Sequence, residues 1–464
     1  MKRILAILAG GLAFVALSAA AVPNPVVSGP IASTVVPGDP SRNHTFFSTD
    51  HPLAVNGYIE EEYFIEGTAN QYTTPTGATG SVIGSPQPYR TRVVVRRPAS
   101  DKKFNGTVLV EWINVSNGFD AENLWFFAWE HILRSGYAWV GVSAQRVGVS
   151  ALAAWNPSRY GALDVTSGGT ITNDALSYDI FMQAGQALRH PGAINMLGSL
   201  KPKAFIATGE SQSAQRLSIF VNSIMPLGNV YDGAFLLSNY GQPIRPDPVV
   251  PVWKTLFEWD LQTGEAAIRM PDSAVFRTWE VAGTAHVDHH LRLSREPLEL
   301  RDIGTSSEAA LAPNCAVPSI GSQVPNHYVV DAALDHMARW VIHGTPPPTA
   351  PRVQIASFQG NRATIARNEF NLALGGIRLA EIEVPTAENV GQNDPLTPSA
   401  GACLRWGYHL PFSLATLDTL YPNRGTYRNQ VIRVTKDNVK NGYLLPEDAQ
   451  RTIDEAMSSS VGAP

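Results

Sequence analysis

Ala204-Phe205-Ile206-Ala207-Thr208-Gly209-Glu210-Ser211-Gln212-Ser213-Ala214 decides the reading of this chain. An apolar run leads straight into Gly-x-Ser-x-Ser, and a helix-like pattern follows to residue 221. That succession reads as strand, sharp turn bearing a serine, helix: a nucleophile elbow. The turn is strained, so the residues two before and two after the serine must be small. Gly209 meets this fully and Ser213 less well. Ser211 becomes the candidate nucleophile. Gln212 would open the helix, where N–H groups without intrahelical partners can stabilise an oxyanion. The bland alternative is an ordinary strand-to-helix turn, so the rest of the chain must decide.

The surrounding sequence repeats the strand–helix alternation. Residues 57–67 and 89–97 read as early strands. Residues 107–113 are β-branched and apolar, as in a strand buried on both faces. Residues 122–133 carry apolar side chains at helical spacing, and 139–143 read as another strand. Leu176, Ile180, Ala184 and Leu188 recur every four residues in a helix predicted over 174–188, with Asn173 as its cap. Further strands are predicted at 233–237, 252–257 and 277–282, and a late helix at 330–342. This pattern predicts an α/β fold: a mostly parallel central sheet with helices on both faces. Residues 349–411 show short strand-like runs without a clear period. The Gly-, Ser- and Asn-rich stretch within 151–173, chiefly 155–172, is expected to be an inserted, lid-like loop.

At the start, Met1-Lys2-Arg3 precedes an apolar run ending in Ala19-Ala20-Ala21, the pattern of a signal peptide over 1–21. The apolar part is short for a spanning helix, and no later segment reads as one, so no stable membrane anchor is expected. A secreted or periplasmic location is expected. The domain then spans 22–464, beginning with a Pro-, Ser- and Gly-rich coil over about 22–55. Charged residues make up only 16% of the chain, net charge is −5 and no basic stripe occurs, which argues against nucleic-acid binding. The two cysteines, Cys315 and Cys403, are expected to pair in an exported protein. Of the ten tryptophans, Trp112, Trp139 and Trp279 fall in predicted strands and are assigned to the core. Trp155 and Trp259 are the candidates for a pocket.

A serine nucleophile needs a base, and the base needs an orienting acid. In the doubly wound hydrolase plan the order along the chain is serine, acid, histidine. Residues 251–257 form a strand followed by Glu258-Trp259-Asp260. Residues 276–283 form a strand ending in a glycine turn, with His286 just beyond. Carboxyl ends of parallel strands are where ligands bind, so all three groups fall on one rim. Either Asp260 or Glu258 can be the acid. The cluster His286-Val287-Asp288-His289-His290 also admits a metal-ligand reading, but it lacks a preceding His-x-His, so no metal is assigned. The oxyanion hole combines the Gln212 N–H with one from the loop after residues 107–113, at Asn114 or Val115.

With those groups in order, the chain resembles the α/β-hydrolase superfamily. It is similar to a family of large secreted α/β-hydrolase-domain proteins. The resemblance rests on Glu111-Trp112-Ile113-Asn114-Val115-Ser116, on Gly209-Glu210-Ser211-Gln212-Ser213-Ala214 and on Trp279-Glu280-Val281-Ala282-Gly283-Thr284-Ala285-His286-Val287-Asp288. It extends to Trp340-Val341-Ile342-His343-Gly344 and the prolines that follow. In that family a serine after the glutamine is normal, so Ser213 fits the elbow. The resemblance implies an α/β-hydrolase fold and a serine esterase needing no cofactor, acting on a small-molecule or polymer ester. Peptidase, lactonase and acyltransferase chemistry would use the same groups. A binding protein that kept the fold is the non-enzymatic alternative.

Overall fold

The computed structural model describes residues 22–306, 314–318 and 321–463. The signal peptide expected over 1–21 lies outside the described residues. Among the described residues one nine-stranded sheet organises the molecule. Its strands are β1 (Val26–Ser28), β2 (Tyr58–Tyr72), β3 (Val82–Pro98), β4 (Thr107–Trp112), β5 (Ala138–Val142), β6 (Ala204–Glu210), β7 (Gly233–Leu237), β8 (Val252–Leu256) and β9 (Phe276–Glu280). They lie in the order β1-β2-β3-β5-β4-β6-β7-β8-β9. From β5 to β9 every pairing is parallel. The β1–β2, β2–β3 and β3–β5 pairings are antiparallel.

Every residue of β4 through β9 is buried; most are apolar, as a two-sided parallel sheet favours, while Lys254 in β8 and Arg277 and Glu280 in β9 are buried as ion pairs. Trp112, Trp139 and Trp279 are fully enclosed in the core. Helices Asn123–Ser135, Ser177–Arg189, Gln212–Ile219 and Asn326–His343 supply covering layers. β2 and β3 run longer than their sequences predict. Gly84, Pro86 and Pro88 break the apolar pattern in β3, but there β3 pairs with β2 alone, and β5 joins only at residues 93–96. Proline is tolerated on such a half-free edge.

Three local readings need correction. The coil expected over 22–55 contains strand β1, which adds an edge to the sheet. The helix predicted from 174 begins at Ser177, and Asn173 does not cap it. Asp174 sits in the left-handed region at φ 58°, and its carboxylate accepts the Arg146 N–H at 2.7 Å instead. The helix after the elbow is regular over Gln212–Ile219 and continues as one π-turn, Phe220–Ile224. The irregular stretch 349–411 forms two small antiparallel pairs, Ile355–Gln359 with Arg362–Ile365 and Ala387–Val390 with Tyr408–Pro411. Cys315 and Cys403 form a disulfide across 88 residues, as expected.

Candidate active site

β6 ends at Glu210, and Ser211 takes up φ 57° and ψ −118° before the helix Gln212–Ile219 begins. A non-glycine residue in that region is strained, and the surrounding structure must hold it there. The Ser211 N–H donates to Leu237 O at 3.0 Å, which ties the turn to the end of β7. A side chain at residue 209 would place its Cβ 2.9 Å from the Ser213 carbonyl carbon, so the close approach requires glycine. Ser213 is fitted rather than merely tolerated. Its hydroxyl accepts the Glu210 N–H at 3.0 Å and donates to Glu210 O at 2.9 Å.

His286 reaches Ser211 from β9. Gly283, at φ 75°, turns the chain, and the Thr284 hydroxyl donates to Val281 O at 2.8 Å. The His286 Nε2 lies 2.7 Å from Ser211 Oγ. Its Nδ1 lies 2.8 Å from Asp260 Oδ1. Asp260 sits on the short helix Glu258–Gln262 that follows β8, and its Oδ2 accepts the Phe257 N–H at 2.8 Å. Ser211, Asp260 and His286 are all buried. With Nδ1–H directed at the carboxylate, Nε2 is left to accept the serine proton.

Glu258 does not face the histidine. Its Oε1 accepts the Gly283 N–H at 2.7 Å, and its Oε2 pairs with Arg367 at 2.7 Å and accepts the Gly391 N–H at 3.0 Å. The two acids stand two residues apart on one helical turn, so only one can point at His286. Glu258 holds the loop that carries the histidine.

Of the two oxyanion candidates in the loop after β4, Asn114 is corrected. Its N–H donates to Ala121 O at 3.1 Å, and its side-chain amide donates to Glu210 O at 2.9 Å. Among the described residues the N–H groups of Val115 and Gln212 have no hydrogen-bond acceptor. The Gln212 side chain exchanges hydrogen bonds with the Gln145 amide, at 2.6 and 3.1 Å, which pins the elbow against the loop after β5.

Three side chains at the site escaped the sequence reading. Ser238, one residue past β7, donates to Asp260 and lies 2.7 Å from His286 Nδ1. A polar residue at the carboxyl end of the strand between nucleophile and acid was the available signal. Glu210 is fully buried, with Oε1 3.6 Å from His286 Nε2 and Oε2 accepting from Asn123 at 2.6 Å. Burial pushes its carboxyl up to about 7, against the pull of His286. A lone carboxylate inside an apolar strand was its signal. Tyr240 stands edge-on to Trp259 at 5.7 Å, and burial first, then the Glu210 charge, raises its phenol.

Ser211, His286, Glu210 and Tyr240 line a cavity of about 80 Å³ with Asn117, Val287, Arg295 and Arg405. Trp259 belongs to it, with its ring 4.5 Å from His286. Trp155 lines a larger cavity of about 480 Å³ instead, with Arg42, His44 and Arg301, and neither Ser211, His286 nor Asp260 lines it. No residue of 151–173, the expected lid, lines the serine's cavity. Instead Arg159 there donates to Ile31 O and Ala32 O, and Asp164 bridges to Arg90 on β3. Two neighbours of His286 have structural roles. Asp288 caps the helix His289–Asp302, and His290 stacks on His327 at 4.0 Å.

Among solved structures the chain is similar to a lidless α/β serine hydrolase from Xanthomonas campestris, at 14% identity and TM-score 0.28, over 52% of this chain and 97% of that one. It is also similar to a fungal esterase from Rhizomucor miehei, at 11% identity and TM-score 0.24, over 43% of this chain and 66% of that one. A third is a glucuronoyl esterase from Solibacter usitatus, at 9% identity and TM-score 0.25, over 48% of this chain and 54% of that one. No curated protein matches. The alpha/beta hydrolase domain family matches residues 27–454, and on that match, which spans the sheet, the elbow and the histidine loop alike, the chain belongs to this family.

Proposed function

We propose that this protein is an exported serine hydrolase that cleaves carboxylic esters through an acyl-enzyme. The observation that carries the reading is the buried relay from Ser211 Oγ through His286 to Asp260, with contacts of 2.7 and 2.8 Å. Ser211 Oγ attacks the acyl carbon as its proton passes to His286 Nε2. Asp260 stabilises the imidazolium, and Ser238 holds both partners in register. The unpaired N–H groups of Gln212 and Val115 receive the developing oxyanion. Collapse breaks the acyl–oxygen bond, and Nε2–H protonates the leaving alkoxide. Water then attacks the acyl-enzyme and gives a proton to His286, which passes it to Ser211 Oγ as the acyl–serine bond breaks and the acid leaves. None of these steps calls on a metal or organic cofactor.

The cavity's size and its many polar walls favour short or hydroxylated groups beside the ester over long alkyl chains. Export is supported by the N-terminal sequence and by the Cys315–Cys403 disulfide. Among the described residues no helix is long and apolar enough to cross a membrane.

Turnover of short para-nitrophenyl esters by the mature protein tests the reading. Ester cleavage that disappears in Ser211→Ala and in His286→Ala is expected. A folded wild type that cleaves no ester would favour the binding-protein alternative.

A further inference from the structure

Electrostatic balance differs between the floor and the rim of the serine's cavity. On the floor, Glu210 is buried beside His286. Arg295, also buried and lining the cavity, pulls the Glu210 carboxyl toward its charged form and is itself paired with Glu299 at 3.1 Å. The floor therefore opposes acid with base. At the rim stands Arg405, which is exposed, lines the same cavity and has no carboxylate within salt-bridge distance among the described residues.

Arg405 is also held in place. It sits on the one-turn helix Cys403–Trp406, fixed at one end by the disulfide to Cys315. At the other end, Trp406 lies under the Arg292 guanidinium at 4.8 Å. The Arg405 carbonyl accepts the N–H of Val287, the residue after the catalytic-site histidine, at 2.9 Å. The backbone at Arg405 is thus tied to the residue after His286, while Arg405 itself is exposed where it lines the cavity. A guanidinium so placed matches a carboxylate, which it can bind through two parallel hydrogen bonds.

We infer that the substrate carries a carboxylate beside its scissile ester and that Arg405 binds it at the rim of the cavity. The inference rests on the ester-hydrolase reading above and narrows its substrate class. Asn117 and Tyr240 add polar groups to the wall, which suits a hydroxylated substrate as well as a charged one.

Matched ester pairs test it. One pair places the charge on the alcohol side: para-acetoxybenzoate against para-acetoxybenzamide. The other places it on the acyl side: the para-nitrophenyl monoester of adipic acid against para-nitrophenyl hexanoate. The expected result is a kcat/KM preference for the anionic member of at least one pair, of roughly tenfold or more, carried mainly by KM and weakened by salt. Arg405→Gln should lose most of that preference, and Arg405→Lys should restore part of it.

If wild type cleaves these esters and reacts with a fluorophosphonate but shows no anionic preference in either pair, the inference is overturned and the ester-hydrolase reading stands. A preference that survives Arg405→Gln likewise overturns the role of Arg405. If no ester is cleaved and the fluorophosphonate does not react, both fall together.

Discussion

Asp260 and Glu258 are both buried, both acidic and two residues apart, yet they do different work. Asp260 holds the imidazole; Glu258 holds the backbone at Gly283 and Gly391 and the Arg367 guanidinium. Asp260→Asn should lower kcat by on the order of 10⁴-fold while the fold persists, because the imidazole loses its tautomer and its counter-charge. Glu258→Gln should instead cost roughly 1–3 kcal/mol of stability through the buried donors it leaves poorly matched, read as a lower denaturation midpoint. Glu210 carries a pH dependence. Burial pushes its carboxyl up to about 7, so it is neutral below that pH and charged above it. Charged, it lies 3.6 Å from the nitrogen that becomes positive in the transition state and favours that charge. Glu210→Gln should therefore lose more kcat at pH 8.5 than at pH 6, and a pH–rate profile of both proteins checks the sign.

At the scale of elements, the parts legible in the sequence are those whose physics is local. β4 and β6 are legible because a strand buried on both faces is mostly apolar. The elbow is legible because its close backbone approach demands small residues at fixed offsets. Gly209→Ala should destabilise the protein and cut activity, since its Cβ would meet backbone atoms of Ser213 and Ala214 at 2.9–3.0 Å. Thermal unfolding and initial rates measure both effects. What stayed hidden depends on contacts distant in sequence. The choice between Asp260 and Glu258 turns on which face of one helical turn meets His286. The role of Ser238 appears only when β7 and β9 bring it beside Asp260 and His286. Asn114 looked suited to an oxyanion hole until its N–H was found committed to Ala121. The stretch 349–411 lacks a period because its two strand pairs are short and lie apart from the main sheet.

The whole molecule joins the site to its furthest loops. The disulfide closes a span of 88 residues and anchors the helix that carries Arg405. On a chain-entropy account a loop of that length contributes about 4–5 kcal/mol, an upper-end figure. Cys315→Ser with Cys403→Ser should lower the unfolding midpoint, and it should weaken substrate binding more than it slows the chemical step. The central claim is that strand ends of one parallel sheet bring Ser211, Asp260 and His286 into a single nucleophilic relay. Intact mass measured after incubation with a fluorophosphonate tests it most directly. The account predicts one covalent adduct that maps to Ser211 and is absent from folded Ser211→Ala. No adduct on the folded wild type, or an equal adduct on Ser211→Ala, would contradict it.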